Sequence, residues 1–544
     1  MANAALFPVW RELLCDGETP VGMFARLRDP SRGSFLLESV LGGERWARWS
    51  IIGVGHRAVV RGFWRGDQLH VEAEPGPGFA SSLEDLCGVR GKVGEGAGAA
   101  LIEALLERYQ AGSDPDRREP DEQPRFWGGL VGIWGHDMVR DLERIPMPTW
   151  EQAPDLPAFE LLVSDTLVVF DNLSQKVRVD ATACPAEDGG VARARASAER
   201  RIDAVIASLG AGPRLPPRSL DEHLATPAPM LAPAWATGSY AAQVQRGQQH
   251  IVAGDVFQVV LSQRFDQPRG DLDPLDVYRM LRVSNPAPYM YLLDLPPAAL
   301  TGASPEVLVR VDRAGGPRRI TVRPIAGTRP RGRDEAEDLA LERELLADPK
   351  ERAEHLMLID LGRNDVGRVA TPGSVRVDES FVIERYSKVM HIVSEVSGEL
   401  APELGVVDAL RSTFPAGTLS GAPKVRALEI IDALEPAPRG WYGGAVGYFG
   451  FDGGADFAIC IRSVVFSGDT VRVQAGAGIV FDSQPDAEDE ECRRKAAAVL
   501  RAIAMARAGV KAWPPPGATT GDRKPPAPSE RSERRERKPP RGAK

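Results

Sequence analysis

A cluster of prolines near the middle of the chain limits the folds that this sequence can adopt. Six prolines occur within the 21 residues from Pro213 to Pro233. Proline lacks a backbone N–H and has a fixed φ, so this stretch favours neither a helix nor a central strand. We therefore expect the chain to divide near residue 235, with a folded region on either side.

Turn residues and apolar periodicity predict mixed α and β structure on both sides of this division. Residues 159–182 predict a β-hairpin with its turn at Asp171-Asn172, and an Ala/Arg-rich helix is expected near 191–209. Close to the end of the chain, three strand-like runs predict an antiparallel meander: 441–451, 456–466 and 469–481.

The composition is that of a soluble globular protein, with 43% hydrophobic and 26% charged residues and a formal net charge of −9. The last 34 residues carry ten basic and four acidic side chains, so the body of the chain is more acidic than the whole. This acidity argues against a nucleic-acid-binding body, and an anionic ligand must be held by local donors. The basic tail predicts a solvated, disordered segment, with a weak polyanion contact as the alternative.

The cysteines and the N-terminus bear on the cellular compartment. The five cysteines are scattered without a C-x-x-C pair, which predicts neither a disulfide framework nor a thiolate zinc site. The N-terminus lacks the basic and apolar regions of a signal peptide, and no run approaches the ~18 apolar residues of a membrane span. We expect a cytoplasmic protein that does not associate with membranes.

Residues 347–365 predict a helix with a capped start. Asp348 stands at the N-cap, Pro349 follows it, and Glu351 occupies the third position of a capping box. Capping therefore accounts for Glu351 but not for Glu354. A glutamate on a helix is most often a solvated surface residue, and that is the simpler interpretation of Glu354.

A second helix is predicted after Ser483, and it carries Glu491 four residues before Lys495. This spacing is typical of a surface ion pair. The functional alternative is that Glu354 and Glu491 face each other across two helices. Two such carboxylates could bind Mg²⁺, which prefers oxygen ligands and often keeps several waters.

Two Gly-rich segments predict contacts with an anion. The loop near 414–420 leads into a helix with Lys424 in its first turn, where free N–H groups favour an anion. The G-K-[ST] ending of a Walker loop is absent. Gly476 and Gly478 lack the third glycine of a dinucleotide-binding motif, but closely spaced glycines let a backbone approach a carboxylate. We therefore expect anion contacts without a nucleotide.

Two polar residues lie in apolar, strand-like runs. His391 alternates with Met390 and Ile392, and a histidine in this setting is more often a satisfied core residue than a functional one. Arg462 lies in the run AICIRSVV, where its guanidinium needs a partner. Bidentate recognition of a carboxylate is the preferred role of such an arginine, and a buried ion pair is the alternative.

Eight segments resemble, in order, the motifs of the chorismate-utilising enzymes. They are GASPEVLVR, PIAGTRPRG, ERAEHLMLIDLGRNDVGRV, VMHIVSEVSGEL, FPAGTLSGAPKVRA, RGWYGGAVGYF, IRSVV and VQAGAGIVFDS. The resemblance extends over about residues 239–505, and the first half is similar to the N-terminal region of the anthranilate synthase component I family. It implies an α/β fold of the α+β type, a large two-sheet antiparallel β sandwich flanked by helices, with the sheets packed orthogonally and the N-terminal region in the same globule.

This resemblance gives the expected segments their roles. Four are predicted: an N-terminal region with tryptophan-binding elements (1–185), a helix with the Pro-rich linker (186–238), a chorismate-binding catalytic domain (239–508) and the disordered basic tail (509–544). Ala326 stands where bacterial aminodeoxychorismate synthases usually have a nucleophilic lysine. Gln258 stands where isochorismate and salicylate synthases have a lysine that activates water, so ammonia is the implied nucleophile.

The resemblance also implies a reaction, in which chorismate and ammonia give anthranilate and pyruvate in the first committed step of tryptophan biosynthesis. Glu306 is the implied general acid for departure of the C4 hydroxyl, and His391 assists the later elimination of pyruvate. Mg²⁺ is implied as cofactor, held by Glu354 and Glu491 mostly through water. The implied substrate contacts are Gly327, Thr328, Tyr442, Arg462, Gly476, Ala477 and Gly478.

A feedback site for tryptophan is implied by two further segments. LLES, which ends at Ser39, and NPAPYMY, which contains Pro288, Tyr289 and Met290, resemble the inhibitor pocket of the family. Without the resemblance these segments are equally well interpreted as a strand end and a Pro-rich turn.

The chain contains no glutamine amidotransferase of its own, because no cysteine lies in a G-x-C-x-G nucleophile setting. The implied partner is an amidotransferase subunit, component II, in a heterotetramer of two plus two chains. Component I of aminodeoxychorismate synthase is the closest alternative, since it shares nearly every motif. A non-catalytic tryptophan-binding homologue is the alternative from another functional class.

Overall fold

The computed structural model describes residues 5–40, 48–76, 97–112, 124–148, 155–211, 215, 226–234, 240–313, 316–386 and 389–508. The expected basic tail and most of the Pro-rich linker lie outside these residues. Within them, no helix is both long and apolar enough to cross a membrane.

The described part of the chain forms twenty strands and eleven α-helices. The strands are β1 (Phe7–Leu14), β2 (Ser34–Glu38), β3 (Trp49–Arg65), β4 (Gln68–Pro75), β5 (Gly129–Trp134), β6 (Phe159–Asp171), β7 (Lys176–Ala183), β8 (Gln258–Pro268), β9 (Tyr289–Leu295), β10 (Ala298–Ser304), β11 (Val307–Val311), β12 (Arg319–Val322), β13 (Ile325–Pro330), β14 (Arg376–Arg385), β15 (Val389–Glu399), β16 (Gly421–Ala422), β17 (Ala445–Gly450), β18 (Ala455–Ile459), β19 (Ser463–Ser467) and β20 (Thr470–Ile479). The helices are α1 (Pro20–Leu27), α2 (Ala97–Arg108), α3 (Pro185–Asp188), α4 (Val191–Ala211), α5 (Tyr240–Val252), α6 (Pro274–Ser284), α7 (Glu335–Ala347), α8 (Pro349–Gly367), α9 (Val406–Thr413), α10 (Lys424–Leu434) and α11 (Pro485–Arg507).

The strands form two antiparallel sheets that share β3 and β6, which are 17 and 13 residues long. The first sheet runs β1-β7-β6-β3-β2-β9-β10-β19-β20-β8-β16. The second runs β4-β3-β6-β5-β17-β18-β11-β12-β15, and β13 and β14 both pair with β15. The β3–β6 register shifts between Gly53 and Ala58, where β3 passes from the first sheet to the second. Such irregularities let a strand bend out of one sheet into another.

The strands alternate between an inner core and two outer cores. In β17, Val446 and Tyr448 join the inner core, whereas Ala445 and Phe449 join an outer core that includes helices. The inner core contains side chains of both sheets, such as Leu293 of β9. This period of two is expected when two sheets pack face to face and helices cover the outer faces. The predicted fold class, a two-sheet antiparallel fold flanked by helices, is confirmed.

The two sequence regions on either side of the prolines are interleaved in these sheets. β2, from the first region, pairs with β9, and β5 pairs with β17. The Pro-rich stretch thus separates regions of sequence whose strands share hydrogen bonds. The boundaries of the four expected segments stay predictions.

The three-strand meander expected at the end of the chain is wrong. The run 456–466 is broken into β18 and β19, and Arg462 lies between them with a positive φ of 51°. β18 pairs with β17 in the second sheet, whereas β19 pairs with β20 in the first. Arg462 therefore stands at a corner where the chain changes sheets, and not inside a strand.

Candidate active site

Glu306 lies in the short connection between β10 and β11, and its side chain is buried at 9% exposure. The hydroxyl of Thr418 donates a 3.1 Å hydrogen bond to its Oε1 atom. Burial raises the pKa of Glu306 to about 8, although the Thr418 bond and the nearby cations Arg462 and Lys495 act in the opposite direction. The carboxyl is therefore mainly protonated at neutral pH and can serve as a proton donor.

His391 lies on β15, as expected, and is also buried. Its Nδ1 atom is 3.0 Å from the carbonyl oxygen of Gly327 and 3.1 Å from the hydroxyl of Thr328. A carbonyl oxygen can only accept, so Nδ1 carries the proton and Nε2 is left as the basic nitrogen. Burial is the main reason why the pKa of His391 is lowered to about 4, and Arg462 adds to the effect. The neutral ring can accept a proton.

Gly327 is placed for this contact by an irregularity in β13. The β13–β15 register shifts between Ala326 and Thr328, and Gly327 has a positive φ of 64°. A methyl group here would lie 2.9 Å from Leu345 and 3.2 Å from a carboxylate oxygen of Glu351. Glycine is favoured in this left-handed conformation and avoids these close contacts, and its carbonyl oxygen faces Nδ1 of His391.

Arg462 places a positive charge near Glu306 and His391. Its guanidinium makes no hydrogen bond or ion pair with any residue that the structure describes. Burial lowers its pKa, and the acidic groups Glu306 and Tyr386 act against this. A partly buried guanidinium without a protein partner is a ready binding group for a carboxylate. The predicted need for a partner is thus met by no described residue.

The segment Gly476-Ala477-Gly478 lies in β20, paired with β8. A methyl group at Gly476 would lie 3.1 Å from the hydroxyl of Tyr442, and one at Gly478 would lie 2.4 Å from the amide nitrogen of Gln258. The carbonyl oxygen of Gly476 accepts a 3.0 Å hydrogen bond from Lys495 of α11. The absence of side chains at the two glycines therefore lets the polar groups of Tyr442 and Gln258 lie close against β20.

A group of carboxylates lies where α8 approaches α11. Lys495 forms the expected ion pair with Glu491, at 2.8 Å. Burial raises the pKa of Glu354, and repulsion from Glu351 and Glu491 raises it further, while Lys495 opposes this. Among the described residues, Glu354 has no hydrogen-bond or ion-pair partner. Glu354 and Glu491 are thus close enough to repel each other, and Glu354 is left without a compensating contact.

Few side chains in this region could coordinate a metal ion. In the described ranges, no three histidine, cysteine, aspartate or glutamate side chains are arranged to hold a metal ion. Mg²⁺ nevertheless needs only one or two protein carboxylates, because water supplies its other ligands. The half-buried, mutually repelling pair Glu354 and Glu491 fits such an ion.

Two local predictions need correction. The side chain of Asp348 caps α8 as expected, but its own N–H bonds to the carbonyl of Leu345 at the end of α7, so Glu351 does not close a capping box. Lys424 is not available to an anion, because its ammonium is bound to Asp365 at 3.2 Å inside the protein.

A separate cavity of about 300 Å³ contains all four residues expected at the inhibitor site. Ser39, Pro288, Tyr289 and Met290 line it together with Trp49 and other residues. Its polar end contains an ion pair of Arg310 and Asp456. The hydroxyl of Tyr289 donates a 2.9 Å hydrogen bond to the Asp456 carboxylate. A cavity with aromatic walls and a charged end suits a small zwitterion that has an apolar side chain.

The sequence did not single out three residues of the site. Thr418 bonds Glu306 from 112 residues away, and Lys495 was interpreted only as the partner of Glu491. The ring of Tyr386 lies 5.6 Å from that of His391. All three depend on contacts between distant segments, which no local pattern records.

The arrangement places an acid and a base within electrostatic reach of one carboxylate-binding cation, because Arg462 affects the pKa of both Glu306 and His391. Lys495 connects this group to the carboxylates, since it affects the pKa of both Glu306 and Glu354. Such a site can protonate a leaving group, remove a proton and hold an anionic substrate.

Comparison with known proteins identifies the family. A family model described as chorismate binding enzyme matches residues 90–501. Anthranilate synthase component 1 of Pseudomonas aeruginosa is 45% identical over 93% of this chain and 96% of its own length. The protein of the same name from Mycobacterium tuberculosis is 43% identical, over 93% of this chain and 94% of its own length.

Solved structures agree with this assignment. Anthranilate synthase component I from Streptococcus pneumoniae TIGR4 matches with a TM-score of 0.64 and 33% identity, covering 90% of this chain and 98% of that one. The isochorismate synthase MenF of Escherichia coli has the same TM-score at 17% identity, covering 92% and 95%, and shares the fold. The chain therefore belongs to the chorismate-binding enzyme family, in the group of the anthranilate synthase component 1 proteins.

Proposed function

We propose that this chain is the chorismate-aminating subunit of an anthranilate synthase and forms anthranilate and pyruvate from chorismate and ammonia. One observation carries the proposal. The protonated Glu306 and the neutral His391 both lie within electrostatic reach of Arg462, whose guanidinium has no hydrogen-bond or ion-pair partner among the described residues. The reaction requires an acid, a base and an anion-binding group, in that combination.

Glu306 acts first. Ammonia adds at ring carbon C2, the double bonds shift, and the C4–O bond breaks as Glu306 gives its proton to the departing hydroxyl, which leaves as water. The nitrogen loses a proton after the addition, and this proton restores the acid form of Glu306. Burial keeps the carboxyl protonated between cycles.

His391 acts in the second step. Its Nε2 atom takes the proton from C2, the six-membered carbon ring becomes aromatic, and the C3–O bond breaks. The departing enolate oxygen receives this proton, so pyruvate leaves in its enol form and His391 returns to its neutral state. The unprotonated ring is suited to this role as a base, because Gly327 fixes the proton on Nδ1. Substrate carboxylates that neutralise Arg462 will make the ring more basic, since Arg462 lowers the pKa of His391.

Arg462 and the backbone of Gly476 to Gly478 bind the substrate. The guanidinium offers paired donors to a carboxylate, and the glycines let the substrate come close to β20. Thr328 and Tyr442 offer hydroxyl groups beside His391 and Gly476 respectively. Chorismate carries two carboxylates, so it needs more than one such group.

We propose Mg²⁺ as the cofactor, held by Glu354 and Glu491 mostly through water. When bound, Mg²⁺ would supply positive charge that neutralises a substrate carboxylate near these acidic side chains. Glu354 and Glu491 would hold the ion, while Lys495 restrains Glu491 through a 2.8 Å ion pair. The enzyme is then a Mg²⁺-dependent carbon–oxygen lyase.

Ammonia is the proposed nucleophile because Gln258 cannot act as the base that water would require. In the cell, glutamine would supply ammonia through a separate amidotransferase subunit, component II, in a heterotetramer of two plus two chains in the cytoplasm. The name component 1 of the relatives supports a partner subunit.

We further propose that L-tryptophan occupies the cavity at Ser39, Pro288, Tyr289 and Met290 and inhibits the enzyme. The cavity has aromatic walls and an Arg310–Asp456 pair, groups that complement an indole and an amino acid zwitterion.

The assay for this function follows anthranilate fluorescence from the purified chain with chorismate, Mg²⁺ and ammonium, with and without L-tryptophan. We expect anthranilate without tryptophan and less with it. Component I of aminodeoxychorismate synthase would instead leave an aminated intermediate that retains the enolpyruvyl group. A non-catalytic tryptophan-binding homologue would bind tryptophan without any turnover.

A further inference from the structure

Two hydroxyl groups hold the corner at which Arg462 stands. The hydroxyl of Tyr291 lies 2.6 Å from the hydroxyl of Ser463 and 3.3 Å from the carbonyl oxygen of Ile461. Ser463 in turn donates a 2.9 Å hydrogen bond to the same carbonyl. The residues immediately before and after Arg462 are thereby joined to each other and to Tyr291, so this network fixes the backbone that has the positive φ.

The ring of Tyr291 packs over Gly302 on its way to the corner. Tyr291 pairs in register with Gly302 on the neighbouring strand β10. A methyl group at Gly302 would lie 2.5 Å from the tyrosine ring and 2.6 Å from the Ser463 hydroxyl. The next residue, Ala303, donates its N–H to the carbonyl of Arg462 at 3.2 Å. The strand that leads to Glu306 therefore also supports the Arg462 corner.

Tyr291 belongs to a second site as well. It is one of the residues that line the cavity, together with Ser39, Tyr289 and Met290. Thus one residue forms part of the cavity wall and places its hydroxyl 2.6 Å from the residue that follows Arg462. A displacement of the Tyr291 ring by a molecule in the cavity would stretch or break the bonds that shape the corner.

We propose that Tyr291 is a positioning residue that holds Arg462 in its carboxylate-binding conformation and transmits occupation of the cavity to it. The proposal rests on the proposed role of Arg462 in binding chorismate. It assigns the coupling between the two sites to the hydroxyl group of Tyr291. Ser463 contributes by bonding this hydroxyl, and Gly302 contributes by leaving room for the tyrosine ring.

The first test removes only that hydroxyl. Tyr291→Phe keeps the ring in the cavity wall, so we expect the KM for chorismate to rise about fivefold while kcat changes by less than about twofold, as for the loss of one hydrogen bond that orients a binding group. Tyr109→Phe is the matched control, because Tyr109 is also buried and its hydroxyl bonds Glu187, away from both sites. The control should keep the wild-type KM.

A second set of measurements separates positioning from a general structural role. Ser463→Ala should raise KM similarly, and the double variant should show less than the product of the two effects, because both hydroxyls act on one corner. L-Tryptophan should raise the KM of Tyr291→Phe by a smaller factor than that of the wild type. Any of three results would overturn the proposal. They are a wild-type KM in Tyr291→Phe, a KM in the double variant that equals the product of the two single effects, and a tryptophan-induced increase in KM that is the same in Tyr291→Phe as in the wild type.

Calorimetric titration with chorismate in the absence of ammonia keeps this test independent of turnover. A wild-type chain that binds chorismate but forms no anthranilate would contradict the proposed function, and the Kd of Tyr291→Phe would still decide the positioning role. We expect that Kd to rise about fivefold, and an equal Kd in the two proteins would contradict that role.

Discussion

The hydroxyl of Thr418 donates a 3.1 Å hydrogen bond to the buried carboxyl of Glu306. This bond holds one carboxyl oxygen in place and leaves the other to carry the proton. Burial outweighs the bond, so the pKa of Glu306 stays near 8. Glu306 is thereby kept both fixed and protonated, which are the two requirements of a general acid.

Replacing this carboxyl should separate activity from stability. We expect Glu306→Gln to lose activity by about a hundredfold or more, since it cannot donate a proton. At a pH between the ordinary glutamate pKa and about 8, Glu306 is protonated to a greater extent in the folded protein than in the unfolded chain. The contribution of Glu306 to the free energy of unfolding therefore falls as pH rises. The variant should therefore unfold at a higher temperature than the wild type at pH 9, which thermal denaturation measures. A lower unfolding temperature at this pH would contradict the buried, proton-binding state.

The pH dependence of the reaction should report the same group. At a constant concentration of free ammonia, kcat/KM should fall as pH rises through about 8, because the acid form of Glu306 is lost. Steady-state kinetics over this range checks the prediction. A rate that keeps rising above pH 9 under these conditions would rule out Glu306 as the acid.

The proposed role of Glu354 in binding Mg²⁺ can be tested with two variants on helix α8. Glu354→Gln should reduce Mg²⁺-dependent turnover more than about tenfold with little change in unfolding temperature, because Glu354 has no partner among the described residues. Asp360→Asn on the same helix is the control, since Asp360 forms only an exposed ion pair with Arg363. Activity should be measured across a Mg²⁺ titration. Wild-type Mg²⁺ dependence in Glu354→Gln would remove it from the metal site.

The second half of the reaction depends on His391. His391→Gln should still aminate chorismate and should accumulate an aminated intermediate that retains the enolpyruvyl group, because no base removes the C2 proton. Chromatography with mass detection distinguishes this species from anthranilate. Normal pyruvate release by the variant would show that another group is the base.

The inhibitor cavity predicts a change in regulation. Ser39→Phe places a large side chain in a cavity of about 300 Å³, so L-tryptophan should inhibit the variant at least about tenfold more weakly. Each protein's rate without tryptophan is the reference. Ser31→Phe, on an exposed turn, is the control and should keep wild-type inhibition. An unchanged inhibition constant in Ser39→Phe would place the inhibitor elsewhere.

Much of the fold was predictable because local patterns and long-range structure agree. The hairpin expected in 159–182 is β6 and β7, and the helix expected near 191–209 is α4. The strand of His391 was also predicted correctly. In each case a period of two or an apolar stripe matches the face that is buried.

The differences arise where distant segments decide the outcome. The residues around Arg462 alternate like those of a strand, and only pairing with two different sheets breaks the run there. Asp348 cannot form a capping box with Glu351 because α7 ends at the preceding residue and its Leu345 carbonyl takes the N–H. The partner of Lys424 is 59 residues away in the sequence. Such contacts have no signature in a local window.

The products formed from chorismate test the central claim most directly. The purified chain, incubated with chorismate, Mg²⁺ and ammonium, should form anthranilate and pyruvate in equal amounts, each matching the chorismate consumed. Chromatography quantifies the aromatic product, and a coupled dehydrogenase assay quantifies pyruvate. Consumption of chorismate with a stable aminated product and no pyruvate would contradict the account.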